Sequence, residues 1–246
     1  GNGVLISDFS TEKRIFVPYN AIPKKIVYSF LSSEDKNFFK HPGVDAKGVL
    51  RAIKNNIFNL IKSNRLEGAS TITQQVAKNF LLSNEVSLDR KIKEAILAFR
   101  IERALSKERI LELYLNQIYL GEGSYGIASA SLRYFDKPIG ELNFSEAALL
   151  AALPKAPSKY NPYKNEKLAT YRRNLVIKNL YDNSYISKKK YEELVNSKIK
   201  LKKRKRIFLE DTRYFVEDIR KNVIKEYGYD KVHKQGFNIK TPINLE

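Results

Sequence analysis

The sequence contains no cysteine and no methionine, and it has two histidines. The absence of cysteine excludes a disulfide scaffold, a thiol nucleophile and a cysteine-based zinc or iron–sulfur site. Two histidines are too few for a histidine-rich metal centre, so no metal site is predicted. The longest uninterrupted apolar stretch, 147–153, is far shorter than the roughly 18 residues of a membrane-spanning helix. Because the chain opens without a secretory signal pattern or a methionine, we expect a piece of a longer protein.

Positive charge is in excess, with 45 lysine and arginine residues against 27 aspartate and glutamate residues, a net charge of +18 over 246 residues. Such an excess predicts a polyanionic partner: nucleic acid, an anionic membrane or a phosphate-bearing substrate. The densest basic run, 198–206, is also compatible with a solvated face. No helix-turn-helix, zinc-finger, KH or RRM signature is present, so nucleic acid is not expected. A hydrophobic fraction of 43% argues for a globular core rather than disorder.

Helical periodicity dominates from residue 23 onward, and short strands are predicted near the two ends. The candidate helices are 23–34, 46–62, 71–82, 87–104, 106–118, 124–134, 145–153, 165–182, 187–196 and 212–226. The candidate strands are 4–8, 14–18 and 236–245. Ser106, Ser145 and Asn165 are expected at helix starts, where a side-chain oxygen can accept from a free backbone N–H group. The predicted class is therefore mainly α, with minor short β elements at the termini.

A glutamate stands in the middle of an apolar helical stripe. At about 100° per residue, Glu34 shares a face with Val27, Phe30 and Leu31. Burial raises the pKa of a carboxyl and makes it a better proton acceptor near neutral pH. The alternative is a glutamate at a helix end that reaches solvent. The flanking segment 34–45 adds an aspartate, an imidazole and a glycine turn among aromatic residues, which favours a carbohydrate or diphosphate site.

A second glutamate, Glu94, lies on a helix whose apolar stripe is expected to face the core. That stripe consists of Ile92, Ala95, Ile96 and Phe99. Arg90 and Glu94 are four residues apart on another face, with Lys91 beside them. One alternative is an ordinary surface ion pair. The other is that Arg90, Lys91 and Lys93 bind phosphate oxygens while Glu94 holds them in place or acts on the substrate.

Hydroxyl and amide side chains crowd the segment between these two glutamates. They belong to Ser70, Thr71, Thr73, Gln74 and Gln75, and Lys78 and Asn79 follow one turn later. Backbone N–H groups at a helix start, together with such side chains, predict a donor-rich anion or sugar site. The alternative is a plain helix cap with solvated glutamines.

Four motifs stand in order along the chain: Glu34-Asp35-x-x-Phe38-x-x-His41-x-Gly43-x-Asp45, Gly68-x-Ser70-Thr71-x-Thr73-Gln74-Gln75, Arg90-Lys91-x-x-Glu94 and Lys107-x-x-Ile110-Leu111-Glu112-x-Tyr114-Leu115-Asn116. They resemble the successive motifs of the peptidoglycan glycosyltransferases (glycosyltransferase family 51). The run 148–157 with Tyr160-Asn161-Pro162 is similar to the family's last motif, so the resemblance spans about residues 20–165.

The resemblance implies a lysozyme-like helical domain that polymerises lipid II into glycan strands on the outer face of the bacterial cytoplasmic membrane. The lipid-linked strand would be the donor, undecaprenyl diphosphate the leaving group and moenomycin-type compounds the inhibitors. The family's course is inverting and requires no cofactor, and a divalent cation, Mg²⁺ or Mn²⁺, at the diphosphate is left open.

The resemblance also assigns roles by position. Glu34 matches the general base that takes the proton from the acceptor's 4-hydroxyl, and Glu94 matches a second catalytic carboxylate that orients basic groups around the diphosphate or a metal. The residues implied to bind substrate are Asp35, Phe38, His41, Ser70, Thr71, Thr73, Gln74, Gln75, Lys78, Asn79, Arg90, Lys91 and Asn116.

The domain organisation expected from the resemblance is a glycosyltransferase domain at 1–200 and an extension at 201–246. The extension would lead to the transpeptidase domain of a class A penicillin-binding protein, and a transmembrane anchor would precede residue 1. The helix over 49–62 carries a stripe of Leu50, Ile53, Ile57, Leu60 and Ile61. It is either a core helix or the element that lies in the membrane interface, where the lipid tail of the substrate must stay.

Two rival functions remain at this point. A lytic transglycosylase or lysozyme-like hydrolase would also use a glutamate in a helical domain, but its leaving group is a sugar and needs no cationic cluster. A non-catalytic basic membrane-binding module would need the basic run 198–206 and would be indifferent to Glu34.

Overall fold

The computed structural model describes residues 13–61, 70–81, 87–202 and 213–229. Within these ranges the chain forms ten α-helices: α1 (Lys24–Glu34), α2 (Ala46–Ile61), α3 (Ile72–Leu81), α4 (Leu88–Ala104), α5 (Lys107–Gln117), α6 (Ile127–Phe135), α7 (Phe144–Ala152), α8 (Glu166–Asp182), α9 (Lys188–Asn196) and α10 (Arg213–Tyr227). Two short strands, β1 (Lys13–Arg14) and β2 (Ser124–Tyr125), pair in one sheet. The predicted mainly α class is confirmed.

Two sequence predictions of secondary structure are corrected. The helix predicted over 124–134 begins at Ile127, because 124–125 form β2 and Gly126 has a φ of +78°, where its Cβ-free backbone lies against the carbonyl of Asn116. The strand predicted over 14–18 is wrong, since regular pairing ends at Arg14 and the chain then enters a 3₁₀ turn at Tyr19–Ala21. The predicted strands 4–8 and 236–245 lie outside the described residues.

Side-chain caps fix most helix starts. Ser106 and Asn165 accept from the backbone N–H groups of Arg109 and Leu168, as predicted. The start of α7 is different: Asn143, not Ser145, is the cap, in a reciprocal capping box with Glu146.

Helix α7 is the centre of the core. Every residue from Ser145 to Ala152 is buried, as expected of a helix that is apolar on nearly all sides, and α7 packs between α1 and α8. The fully buried guanidinium of Arg173, on α8, donates to the Ser145 hydroxyl at 3.1 Å and to the Ser197 carbonyl at 2.8 Å. Helices α1, α7 and α8 thus pack against one another, and α3 packs against α4 and α5.

The chain divides into two compact units, residues 14–201 and residues 1–13 together with 202–246. Helices α1 to α9 belong to the first unit and α10 to the second. The functions assigned above to 1–200 and 201–246 stay predictions. Among the described helices, none combines the length and the apolar composition needed to cross a membrane.

Candidate functional site

The carboxylate of Glu34 lies at the end of α1, where the helix leaves the core. Val27, Phe30 and Leu31 are buried as their shared stripe predicts, and they anchor the last turn of α1 so that Glu34 is half-buried. Its Oε2 accepts from Gln75 Nε2 at 3.0 Å, and its Oε1 accepts from the Ser33 hydroxyl at 3.2 Å. Glu34 is thus at the helix end and partly exposed, as the alternative expected, but its carboxylate also has two protein hydrogen bonds.

Burial raises the pKa of Glu34 above its ordinary value, and four groups around it pull the pKa back down. The hydrogen bond from Gln75 is the largest of these, followed by the charge of Arg172, the Ser33 hydroxyl and the charge of Lys155. Because burial outweighs them, Glu34 holds a proton more readily than an exposed glutamate. The site thus contains a carboxylate adjusted for proton uptake.

Lys155 and Arg172 were not expected near Glu34 from the sequence. Lys155 follows α7 inside the last of the quoted motifs, and Arg172 lies on α8, where its guanidinium is 6.0 Å from the ring centroid of Tyr160. One signal was available, because Lys155 belongs to a motif that carried the resemblance. Arg172 gave none, since an arginine in the middle of a helix is an ordinary surface residue.

Asp35 ties the end of α1 to the start of α3. Its buried carboxylate lies 2.9 and 3.0 Å from His41 Nε2 and accepts from the backbone N–H of Ile72 at 3.0 Å. The backbone N–H of Gly43 donates to His41 Nδ1 at 3.2 Å, so Nε2 carries the hydrogen that Asp35 accepts. Asp35 and His41 thereby place α3, and with it Gln75, against Glu34. Their predicted contact with substrate stays a prediction.

Gly43 allows this loop to approach α4. Its φ is +99°, and a Cβ there would lie 2.9 Å from the backbone carbonyl of Ala98. The side chain of Phe38 is fully buried beneath the loop, with Lys107 Nζ 4.4 Å from its ring centroid. Lys107 also donates to the His41 carbonyl at 2.7 Å. Phe38 is thus a core residue here, and its substrate contact stays a prediction.

The start of α3 is occupied by the protein's own side chains. The hydroxyl of Thr71 accepts from the Gln74 backbone at 3.2 Å, while Gln74 Oε1 accepts from the Thr71 backbone at 3.0 Å, which is a reciprocal capping box. Thr73 donates to Glu102 at 2.5 Å, and the N–H of Ile72 is taken by Asp35. The start of α3 is therefore capped by the protein's own groups, but Gln74 is buried and not solvated as the cap alternative expected. The anion or sugar contacts predicted for these residues stay predictions.

Asn116 holds the N-terminal segment of the first unit. Its Oδ1 accepts from the Val17 backbone at 2.7 Å, and its Nδ2 donates to the carbonyls of Val17 and Glu112, both at 2.8 Å. The side-chain amide of Asn116 therefore satisfies both the backbone N–H and the carbonyl of Val17, as a neighbouring β-strand would. A substrate contact of Asn116 stays a prediction.

Glu94 is the centre of a cationic cluster on α4. Its side chain is buried, with Lys91 Nζ 2.6 Å from one oxygen and Arg90 Nε 3.4 Å from the other. Lys91 also donates to the Ser70 hydroxyl at 2.8 Å, just before α3 begins. The surface ion-pair alternative is wrong, because Glu94 is only 3% exposed. Glu94 holds two cations beside the start of α3, which itself contacts Glu34 through Gln75.

The predicted buried face of α4 is wrong. Ile92, Ile96 and Phe99 are 60%, 49% and 44% exposed, whereas Glu94 and Ala98 face the protein. The apolar stripe is therefore a surface stripe. On α2, Leu50 is also exposed, at 68%.

Lys78 and Asn79 are exposed on α3, one turn beyond Gln75. Among the described residues, no group of three or more histidine, aspartate or glutamate side chains could hold a metal ion. Since both oxygens of Glu94 face cations, this carboxylate does not fit a divalent cation.

Comparison with known proteins gives one family and consistent relatives. The family described as transglycosylase matches residues 2–181. Penicillin-binding protein 1A of Rickettsia felis is 49% identical over 224 residues, which are 91% of this chain and 28% of that protein. Penicillin-binding protein 1A of Aquifex aeolicus is 44% identical over 244 residues, 99% of this chain and 33% of that protein.

Among solved structures, the 2.6 Å crystal structure of penicillin-binding protein 1A from Haemophilus influenzae matches with a TM-score of 0.58 and 27% identity. The match covers 94% of this chain and 24% of that one. The chain thus spans about a third or less of the length of these relatives.

Proposed function

Because the chain belongs to the transglycosylase family, we propose that it is a peptidoglycan glycosyltransferase that polymerises lipid II into glycan strands, with undecaprenyl diphosphate as the leaving group. The observation that carries the proposal is the half-buried carboxylate of Glu34, whose pKa burial raises, between Gln75 and two cationic side chains. A sugar hydroxyl is a weak nucleophile, so the transfer needs a base of this kind.

Glu34 accepts the proton of the acceptor's 4-hydroxyl while that oxygen bonds to the anomeric carbon of the donor. The bond from this carbon to the diphosphate oxygen breaks, and the electron pair leaves with the diphosphate. One carboxylate at the reacting oxygen is enough for such a displacement, which inverts the anomeric centre. Gln75 keeps the carboxylate in place through its 3.0 Å hydrogen bond.

The departing diphosphate carries negative charge that needs stabilisation, which is the usual main electrostatic contribution to such catalysis. Arg90 and Lys91 supply positive charge on α4, and Lys78 adds an exposed cation on α3. Glu94 keeps Arg90 and Lys91 in position while its own oxygens are occupied by them. Its proposed contribution is thus to orient cations, and proton transfer belongs to Glu34.

This cationic cluster favours the transferase over the rival functions. A hydrolase of finished glycan has a sugar leaving group and gains nothing from cations held by a buried carboxylate. A non-catalytic basic module needs no glutamate whose pKa is raised by burial. The transferase is the one function that uses both features.

We also propose that the enzyme works at the outer face of the cytoplasmic membrane, on an anionic lipid surface. The stripe of Ile92, Ile96 and Phe99 exposes apolar side chains on the face of α4 opposite Glu94, and lysines and arginines surround it. A helix with an apolar stripe and flanking cations is suited to a bilayer interface. A substrate with a lipid tail requires that contact.

The test is polymerisation of lipid II, followed together with the affinity for a moenomycin-type inhibitor. Glu34→Gln keeps the shape of the side chain and is expected to lower polymerisation by about 10²–10⁴-fold with inhibitor affinity unchanged. Arg90→Ala is expected to weaken inhibitor affinity by about tenfold or more, because charge-assisted hydrogen bonds are lost.

Lys189→Ala is the matched control, since Lys189 is an exposed cation on a different helix, α9. It should leave both measurements unchanged. Substantial polymerisation by Glu34→Gln would refute the base assignment, and cleavage of finished glycan without use of lipid II would favour the hydrolase.

A further inference from the structure

A buried tyrosine stands behind the glutamine that contacts Glu34. Tyr114, on α5, is 1% exposed, and its ring packs edge-on against Phe30 with 6.1 Å between ring centroids. Its hydroxyl donates to Gln75 Oε1 at 3.5 Å. The other end of the same carboxamide, Nε2, donates to Glu34 Oε2 at 3.0 Å. Gln75 thus links the buried hydroxyl to the carboxylate.

A carboxamide can occupy such a position in two orientations, which exchange its donor and its acceptor. In the observed orientation the donor faces Glu34 and the acceptor faces Tyr114. We propose that Tyr114 is a positioning residue: its hydroxyl holds the oxygen of Gln75, so that the N–H group, and not the oxygen, faces Glu34. This inference rests on the proposed role of Glu34 as the base.

The orientation matters because the protonated carboxyl is a hydrogen-bond donor. If Gln75 could turn, its oxygen would accept from protonated Glu34 and stabilise that form, which would raise the pKa further. A tyrosine hydroxyl that needs an acceptor in a buried site opposes the turn. Burial and the charges of Glu34 and Asp35 raise the pKa of Tyr114, so it remains a donor in the working range of pH.

Other charged groups act on Glu34 but do not control the amide. Arg172 on α8 and Lys155 after α7 favour the ionised carboxylate by their charge. Asp35 is the neighbouring residue in sequence, and its own carboxylate is engaged with His41 and α3. Removing the hydroxyl of Tyr114 leaves all of these groups in place.

The experiment is a titration of the Glu34 carboxyl by ¹³C NMR in the complete chain labelled at glutamate, with the signal assigned by its loss in Glu34→Gln. In Tyr114→Phe the midpoint should rise by about one pH unit, since Gln75 can then turn and the protonated form gains the equivalent of one hydrogen bond. In Gln75→Met the same Tyr114→Phe change should have no further effect on the midpoint. This double-mutant cycle isolates the contribution that passes through Gln75.

Tyr134→Phe is the matched control, because the Tyr134 hydroxyl is equally buried and donates to the Leu120 carbonyl at 2.9 Å instead. It should leave the midpoint of Glu34 unchanged. The proposal is overturned if Tyr114→Phe leaves the midpoint unmoved, or if it moves the midpoint as far in the Gln75→Met background.

The pH dependence of lipid II polymerisation then tests the consequence. The acidic limb of the pH–rate profile of Tyr114→Phe should shift to higher pH together with the midpoint. At a pH one unit below the wild-type midpoint the variant should be about tenfold slower than wild type, and on the plateau the two rates should be equal. If the wild-type chain does not polymerise lipid II, the proposed function fails while the titration still decides the role of Tyr114.

Discussion

Replacing Glu34 with glutamine is expected to stabilise the folded protein while it removes the proposed base. At neutral pH the ionised carboxylate is half-buried, and burial outweighs the favourable contacts with Gln75, Arg172, Ser33 and Lys155. Glutamine has the same shape and keeps an oxygen for the 3.0 Å hydrogen bond from Gln75. The substitution therefore removes an unfavourable charge at little structural cost.

The expected gain in free energy of unfolding at pH 7 is about 0.5–2 kcal/mol, the common range for a single stabilising substitution. For a protein of this size each kcal/mol raises Tm by about 2–4 °C. The sign of the pH dependence follows from the raised pKa. Because the folded protein prefers the protonated form of Glu34, this preference stabilises the wild-type protein in full below the unfolded pKa of 4.5. The stabilisation is lost as pH rises through the folded pKa. The advantage of the variant should therefore be small at pH 4 and grow toward pH 7.

Thermal unfolding of both proteins between pH 4 and pH 8 measures this directly. Glu192→Gln is the control, because it makes the same change of charge at an exposed position on α9. It should change Tm little at any pH. If Glu34→Gln were no more stable than wild type at pH 7, or equally stabilised at pH 4 and pH 7, burial would not be the dominant influence on this carboxyl.

Two further predictions concern the α4 surface and the N-terminal segment. Changing Ile92, Ile96 and Phe99 together to serine should weaken the salt-resistant part of the binding to anionic vesicles, by about tenfold for each side chain that inserts into the bilayer. Tm should stay unchanged because these side chains are exposed. Unchanged vesicle binding would rule out lipid contact by this face. Asn116→Ala should lower the free energy of unfolding by about 1–3 kcal/mol, since the backbone N–H and carbonyl of Val17 both lose their partner. Asn196→Ala, at an exposed position, should leave it unchanged. A loss of lipid II affinity without loss of stability would instead assign Asn116 to the substrate.

The sequence predicted the helices well because their periodicity and caps are local properties. All ten α-helices were expected within a few residues, and the family membership inferred from the motifs is confirmed by the match over 2–181. The resemblance placed Glu34 and Gln75 in one site, but their contact became visible only in the fold. The start of α7 shows the limit: both Asn143 and Ser145 are good caps, and only the capping box with Glu146 distinguishes them.

The errors have a common physical cause. Periodicity shows which residues of α4 share a face, but it does not show which face is covered, and the apolar stripe was assigned to the core by default. The inward face is instead the one that carries Glu94, because two cations compensate its burial. Arg172 on α8 and Lys155 after α7 act on Glu34 from segments distant in sequence, so periodicity along α1 could not reveal them, and only the motif that contains Lys155 gave a signal.

Because protein side chains occupy the start of α3, the backbone amides there position the helix and do not bind phosphate. In other phosphate-binding folds the amides of a helix start bind the phosphate itself. A free helix N-terminus holds phosphate through backbone amides that no substitution removes. In this chain Asp35 and the pair Thr71 and Gln74 use those amides to fix α3. Binding of a diphosphate would then depend on lysine and arginine side chains, which salt screens. Affinity for the lipid diphosphate can therefore change by one side chain at a time, while the geometry that sets Gln75 against Glu34 stays the same.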